Sequence, residues 1–101
     1  MAHKVKLRPS ALGDLQAIYD WVADHSDEMT AAAYRDRILE ACSRLGEFPN
    51  RGSRRDHLLS GLRAISFERR AMILYLVEER VVLILRVLHH GRDPALAFGG
   101  G

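Results

Sequence analysis

The stretch that most constrains this chain is its last apolar run, Val81-Val82-Leu83-Ile84-Leu85-Arg86-Val87-Leu88, which ends in His89-His90-Gly91-Arg92-Asp93-Pro94. Branched aliphatic residues bounded by charges before and by Gly and Pro after read as a strand. Side chains on a strand alternate between its two faces. Val81, Leu83, Leu85, Val87 and His89 therefore fall on one side, and Val82, Ile84, Arg86, Leu88 and His90 on the other. The first set predicts a core face. The second is apolar as well but carries Arg86 and His90, and an arginine in so apolar a strand is rarely buried without a partner. The second face is therefore expected to be the one that meets other molecules.

The rest of the chain supplies what the core face must pack against. Lys4-Val5-Lys6-Leu7-Arg8 alternates with period two and predicts a short strand whose polar side is wholly basic, which suits an edge. Leu12, Leu15, Ile18, Tyr19 and Val22 recur at helical spacing, so a helix is expected from about Ala11 to Asp24, with Ser10 as its N-cap and Asp14 in its first turn. After a turn at His25-Ser26-Asp27, the stripe Tyr34, Ile38, Ala41, Cys42 and Leu45 predicts a second helix, stopped by Gly46 and Pro49. So short a turn forces an antiparallel helical hairpin. A polar, arginine-rich loop over 50–60 follows, then strands at 62–67 and 71–77 and the final run, joined by short turns as successive hairpins.

The expected fold class is α/β (α+β): a β-α-α-β-β-β order, with a helical hairpin packed on one face of an antiparallel-dominated sheet. Leu12, Leu15, Ile18, Val22, Ile38, Leu45, Leu83, Leu85 and Val87 form the predicted core. No further element remains to cover the other sheet face, and an exposed face bearing Val82, Ile84 and Leu88 invites a partner.

At 101 residues the chain is one domain by length. Residues 1–96 are read as that domain and 97–101 as a disordered tail. Hydrophobic content of 48% with 28% charged residues argues against intrinsic disorder. The single cysteine, Cys42, excludes an internal disulfide and fits a reducing cytoplasm. The longest unbroken apolar run, 71–77, is far short of a membrane span, and the N-terminus does not read as a signal peptide. The net charge of +2 hides an asymmetry: residues 1–49 hold six Lys/Arg against eight Asp/Glu, and residues 50–101 hold nine Arg against five Asp/Glu. The basic half uses arginine alone, the residue for bidentate contacts with acidic groups.

The order and several motifs resemble the RelE/ParE toxin superfamily, and more specifically ParE-type toxins of bacterial type II toxin–antitoxin systems. Four segments carry the likeness: Pro9-Ser10-Ala11 with Asp14-Leu15 and Ile18-Tyr19-Asp20-Trp21-Val22; the run from Ile38 to Pro49 with Gly52; Gly61-Leu62-Arg63; and the run from Ile84 to Asp93. The resemblance implies a cytoplasmic toxin held inactive by a cognate, ParD-like antitoxin in a hetero-oligomer. It implies DNA gyrase as the target for ParE-type members, and ribosome-dependent mRNA cleavage for RelE-type relatives. The chain departs from many relatives in carrying Glu78-Glu79-Arg80 between its last two strands.

Cleaving RNA requires a base, an acid and cations around the phosphate. Arg69, Arg86, His89 and His90 are available for that, but no Tyr or Lys lies near the chain's end. The expectation is therefore inhibition of gyrase by binding rather than by catalysis, with Arg86, His89, His90, Arg92 and Arg69 as target contacts. Trp21, Tyr19, Val82, Ile84 and Leu88 are the expected antitoxin contacts. A ribosome-dependent endoribonuclease, or a degenerate module that only binds an antitoxin, are the alternatives. No metal or cofactor is expected, because no Cys/His/Asp spacing fits a metal site and no Gly-rich phosphate loop is present. Direct nucleic-acid binding by the chain alone is not expected either, since the basic half lacks stacking aromatics.

Overall fold

Pro9 starts the first helix for a local reason. Its fixed φ suits the first helical position, and its missing N–H would have found no helical partner there. In the computed structural model, which describes residues 2–89 and Pro94, helix α1 spans Pro9–His25 and follows strand β1, Lys4–Leu7. The N-cap is Arg8 rather than Ser10, so both Ser10 and Asp14 lie inside the helix with their side chains released for other work. Helix α2, Glu28–Arg44, is capped by the last residue of the turn before it: the Asp27 carboxylate accepts the Thr30 N–H at 2.7 Å. Four strands follow: β2 Ser53–Arg54, β3 Arg63–Phe67, β4 Ala71–Glu78 and β5 Val81–His89. The two-residue β2 is the one element the sequence did not announce.

The sheet order is β1-β5-β4-β3-β2. β1 lies parallel to β5, and every other pair is antiparallel. Both helices cover one face. Ala11, Leu15 and Ile18 from α1 and Tyr34, Ile38 and Cys42 from α2 close over Ile73, Tyr75, Val82, Ile84 and Val87. Tyr75 also pins the loop beneath the sheet: its hydroxyl accepts the Gly52 N–H at 2.8 Å and donates to the Pro49 carbonyl at 2.9 Å. Gly52 is required there, since a Cβ would stand 2.6 Å from that oxygen.

One register shift overturns the predicted assignment of faces. Tyr75 pairs with Ile84 but Leu74 pairs with Arg86, so Leu85 is an extra residue, a β-bulge in β5. Strict alternation fails across it. Val82 and Ile84 face the helices before the bulge, and Val87 does so after it. Leu85 and Leu88 turn to the second face. Leu83 joins them there, because it pairs with Leu76, which packs on that side. Val82 and Ile84 are thus fully buried core residues rather than an open surface, while Leu83 and Leu85 leave the helix-facing core. Leu12, also expected in the core, is 54% exposed.

The second face is not bare either. The loop before β3 folds over it, and Leu58 and Leu62 pack with Ala64, Leu74 and Leu88. Asp56 organises this loop by accepting the Gly61 N–H at 2.8 Å and both donors of the Arg54 fork at 2.8 and 2.9 Å. That fork, with the Gly61 amide, draws the Asp56 carboxyl down to about 2. Met72, Leu76, Leu83 and Leu85 remain half-buried on the uncovered part. Lys4 and Lys6 flank them, since they pair with Val81 and Leu83.

The β3–β4 turn is strained. Glu68 and Arg69 have φ of 48° and 60°, a left-handed conformation that costs an L residue roughly 1–2 kcal/mol. Arg69→Gly should therefore raise stability by about 1 kcal/mol, measured by urea denaturation. Ile84→Ala should cost about 2–5 kcal/mol, as for a fully buried aliphatic residue. Leu85→Ala should cost clearly less, and the reverse order would contradict the bulge. Burial pushes the Cys42 thiol up to about 11. It should react with a thiol reagent at neutral pH only as fast as the chain unfolds, and addition of the thiol-masking reagent without denaturant should label almost none of it.

Candidate functional site

β1 is four residues long and β5 nine, so β1 leaves half of its neighbour's edge unpaired. Helix α1 closes that gap with its backbone start and two side chains. The Arg8 N–H donates to the Ile84 carbonyl at 2.9 Å, and Ser10 Oγ donates to the Leu85 carbonyl at 2.7 Å. The Asp14 carboxylate then accepts the Val87 N–H at 2.9 Å and both Nε and Nη2 of Arg86, at 2.7 and 2.9 Å. These hydrogen bonds hold the Arg86 guanidinium's proton more firmly than usual. The pair is well shielded, with side-chain exposures of 26% for Arg86 and 9% for Asp14. Arg86, expected to have a partner and to contact a target, finds that partner in this clasp.

A second group gathers where β5 ends. His89 pairs with Ala71, directly after the β3–β4 turn. Its ring lies 5.6 Å from that of Trp21 on α1 and 5.7 Å from that of Tyr34 on α2. Trp21 stacks on His25 at 3.9 Å, and His25 Nδ1 sits 2.8 Å from the Trp21 carbonyl. Trp21 is 42% exposed, so this aromatic group reaches the surface. Arg69 is exposed at the adjacent turn. Glu68 beside it takes both donors of the Arg37 fork, at 2.8 and 3.0 Å, which fastens the turn to α2.

The expected site residues therefore separate. Trp21, His89 and Arg69 meet at one end of the sheet. Arg86 lies in the clasp, Val82 and Ile84 lie under the helices, and Leu88 is buried on the second face beneath the loop. Tyr19 stands half-buried between the helices with the Arg35 guanidinium 5.2 Å above its ring. His90 and Arg92 fall outside the described residues. The sequence reading missed the roles of Asp14, Ser10, Tyr34, Arg37 and Glu68. The sequence carries one signal for a partner to Arg86: an arginine in an apolar strand demands an acid, and α1 offers Asp14, Asp20 and Asp24; the fold selects Asp14.

Among the described residues no group of three His, Cys, Asp or Glu side chains is placed to hold a metal ion, and no helix is long and apolar enough to cross a membrane. What the surface offers is an apolar strip bordered by lysines, and an end rich in arginine and aromatic rings. Both are suited to contacts with another protein.

Asp14→Ala should cost about 3 kcal/mol, because it leaves a shielded guanidinium and a strand N–H without their acceptor. Adding Arg86→Met should recover much of that loss. Urea titration of the single and double variants checks both, and a single-variant loss below about 1 kcal/mol would show the clasp to be dispensable.

Comparison with known proteins places this architecture. A family described as "ParE toxin of type II toxin-antitoxin system, parDE" matches residues 5–94. Toxin ParE3 of Caulobacter vibrioides is 33% identical over 99 residues, spanning 98% of this chain and 97% of its own. Among solved structures, a chain of the chromosomal ParDE system from P. aeruginosa superposes with a TM-score of 0.77 at 26% identity, covering 88% of this chain and 97% of that one. A chain of the toxin–antitoxin complex RelBE2 from Mycobacterium tuberculosis shares the fold, with a TM-score of 0.63 at 23% identity over 89% of this chain and 100% of that one.

Proposed function

This chain belongs to the ParE toxin family of type II toxin–antitoxin systems, and we propose that it acts in the cytoplasm by binding and inhibiting DNA gyrase until a ParD-like antitoxin neutralises it. The observation that carries the binding reading is the state of Arg86. It is the cation at the centre of the strand that the family likeness and the sequence pattern both single out, yet its guanidinium is fully engaged by Asp14. A cation committed to an internal carboxylate stabilises the fold; it does not gather charge around a scissile phosphate. The contacts left for a target are Arg69 and His89 at the sheet end, with His90 and Arg92 following His89 in the chain. The half-buried apolar strip of Met72, Leu76, Leu83 and Leu85, with Leu88 buried on the same face, supports a protein partner over a small-molecule substrate, and Trp21 and Tyr19 on α1 offer such a partner a separate contact. The likeness to a ParDE system supports an antitoxin as one such partner.

Two assays on purified protein separate the readings. The expected result is gyrase-dependent DNA breakage or loss of supercoiling, with mRNA on ribosomes left intact and both effects abolished by the co-expressed antitoxin. Arg69→Ala should weaken gyrase inhibition about tenfold, the scale of one charge-assisted contact, without loss of folding. Cleaved mRNA with untouched gyrase would replace this reading by a ribosome-dependent endoribonuclease. A folded chain inactive in both assays and still bound by its antitoxin would make it a binding module alone.

A further inference from the structure

We propose that the tip of the β3–β4 hairpin is an acid-recognition site, in which Glu68 occupies the Arg37 fork in place of a carboxylate from a protein partner. The proposal rests on the reading that this chain works by binding proteins, and it names the chemistry that one such partner brings.

Three observations converge on the tip. The Arg37–Glu68 fork is two-toothed, at 2.8 and 3.0 Å, yet both side chains are about half exposed, so an incoming carboxylate can reach it. Glu68 makes this contact from a left-handed backbone shared with Arg69, so the internal acid holds its place against strain that an external one does not bear. Tyr34 is 5% exposed, and its buried hydroxyl has no hydrogen-bond partner among the described residues. Its ring lies 5.4 Å from the Arg37 guanidinium carbon and packs on Phe67, the last residue before the turn. Burial first, and the Glu68 charge second, push the pKa of that hydroxyl above the usual tyrosine value, partly offset by Arg70 and Arg37.

A buried donor without an acceptor is an unspent interaction. On this proposal a carboxylate that displaces Glu68 takes the fork and reaches toward the Tyr34 hydroxyl, which the internal acid does not engage. Arg69 and Arg70 form no ion pair among the described residues, so the tip carries three arginines against one glutamate. The fork is already shaped around a carboxylate, the geometry arginine matches best. Tyr34 is buried and Phe67 half-buried against the helix-facing core, so neither described ring beside the fork offers an open face on which a nucleobase would stack. The partner is therefore an acidic protein segment.

The test titrates the full chain with a hexaglutamate peptide at low salt while following the Nε–H resonance of Arg37. The expected result is a shift at Arg37 and at the amides of Arg69 and Arg70. Glu68→Gln should tighten apparent binding roughly three- to tenfold by removing the internal competitor, and Tyr34→Phe should weaken it about threefold. Glu47→Gln, which removes the same charge elsewhere, should leave affinity unchanged. Tyr34→Phe should also melt no lower than the parent chain, since it deletes an unsatisfied polar group. Equal tightening by Glu68→Gln and Glu47→Gln would reduce the effect to net charge and overturn the site. Unchanged binding in Tyr34→Phe, or tighter binding of a single-stranded hexanucleotide than of hexaglutamate, would overturn it as well. Binding at the tip with no effect on gyrase would leave this site standing while the target reading fell.

Discussion

The structure depends on one carboxylate. Asp14 satisfies three donors on β5, two from the Arg86 guanidinium and one from the Val87 backbone. A nine-residue strand beside a four-residue neighbour would present the unpaired backbone groups of its second half to solvent or to other chains. Helix α1 closes that edge with Asp14, with Ser10 on the Leu85 carbonyl, and with the Arg8 amide on Ile84. The helix is thus tied to the sheet by directed polar contacts as well as by the non-directional burial of Leu15 and Ile18. Hydrophobic contact alone would permit the helix to slide; these hydrogen bonds set where along β5 it sits.

That registration and the bulge at Leu85 coincide. Ser10 donates to the carbonyl of the bulged residue itself, and the Asp14 clasp begins at the next one. A bulge reverses which side chains face the core, so the same apolar strand contributes Val82 and Ile84 to the helix-facing core and Leu85 and Leu88 to the other side. The second face then needs its own cover, and the loop held by Asp56 provides Leu58 and Leu62 for part of it. What remains uncovered is narrower than a whole sheet face, and it is bordered by the lysines of β1.

On the proposed reading function lives on surfaces, because inhibition by binding and neutralisation by an antitoxin are both recognition events. The two surfaces differ in chemistry. The strip of Met72, Leu76, Leu83 and Leu85 is apolar, whereas the sheet end combines Trp21, His89 and the arginines around the β3–β4 turn. The strained turn and the unpaired Tyr34 hydroxyl lie at the second of these, where local stability has been given up rather than gained.

The sequence alone determined the class of fold, the helical hairpin with its turn at His25-Ser26-Asp27, the meander of β3, β4 and β5, and the family likeness, because these rest on local periodicity and turn signals that each segment carries by itself. It also marked Arg86 as a residue that must have a partner, and Trp21, His89 and Arg69 as residues of interest, which the fold then brings to one end. Only the tertiary structure decided which face of β5 is core, because a one-residue bulge leaves no mark in composition and shifts the alternation: Val87 and Leu88 keep the expected faces, while Val82, Leu83, Ile84 and Leu85 exchange them. It likewise decided that Asp14 caps no helix but serves a strand 72 residues away, and that Glu68 is held by Arg37. Such pairings join segments distant in the chain, and nothing local to either partner specifies the other.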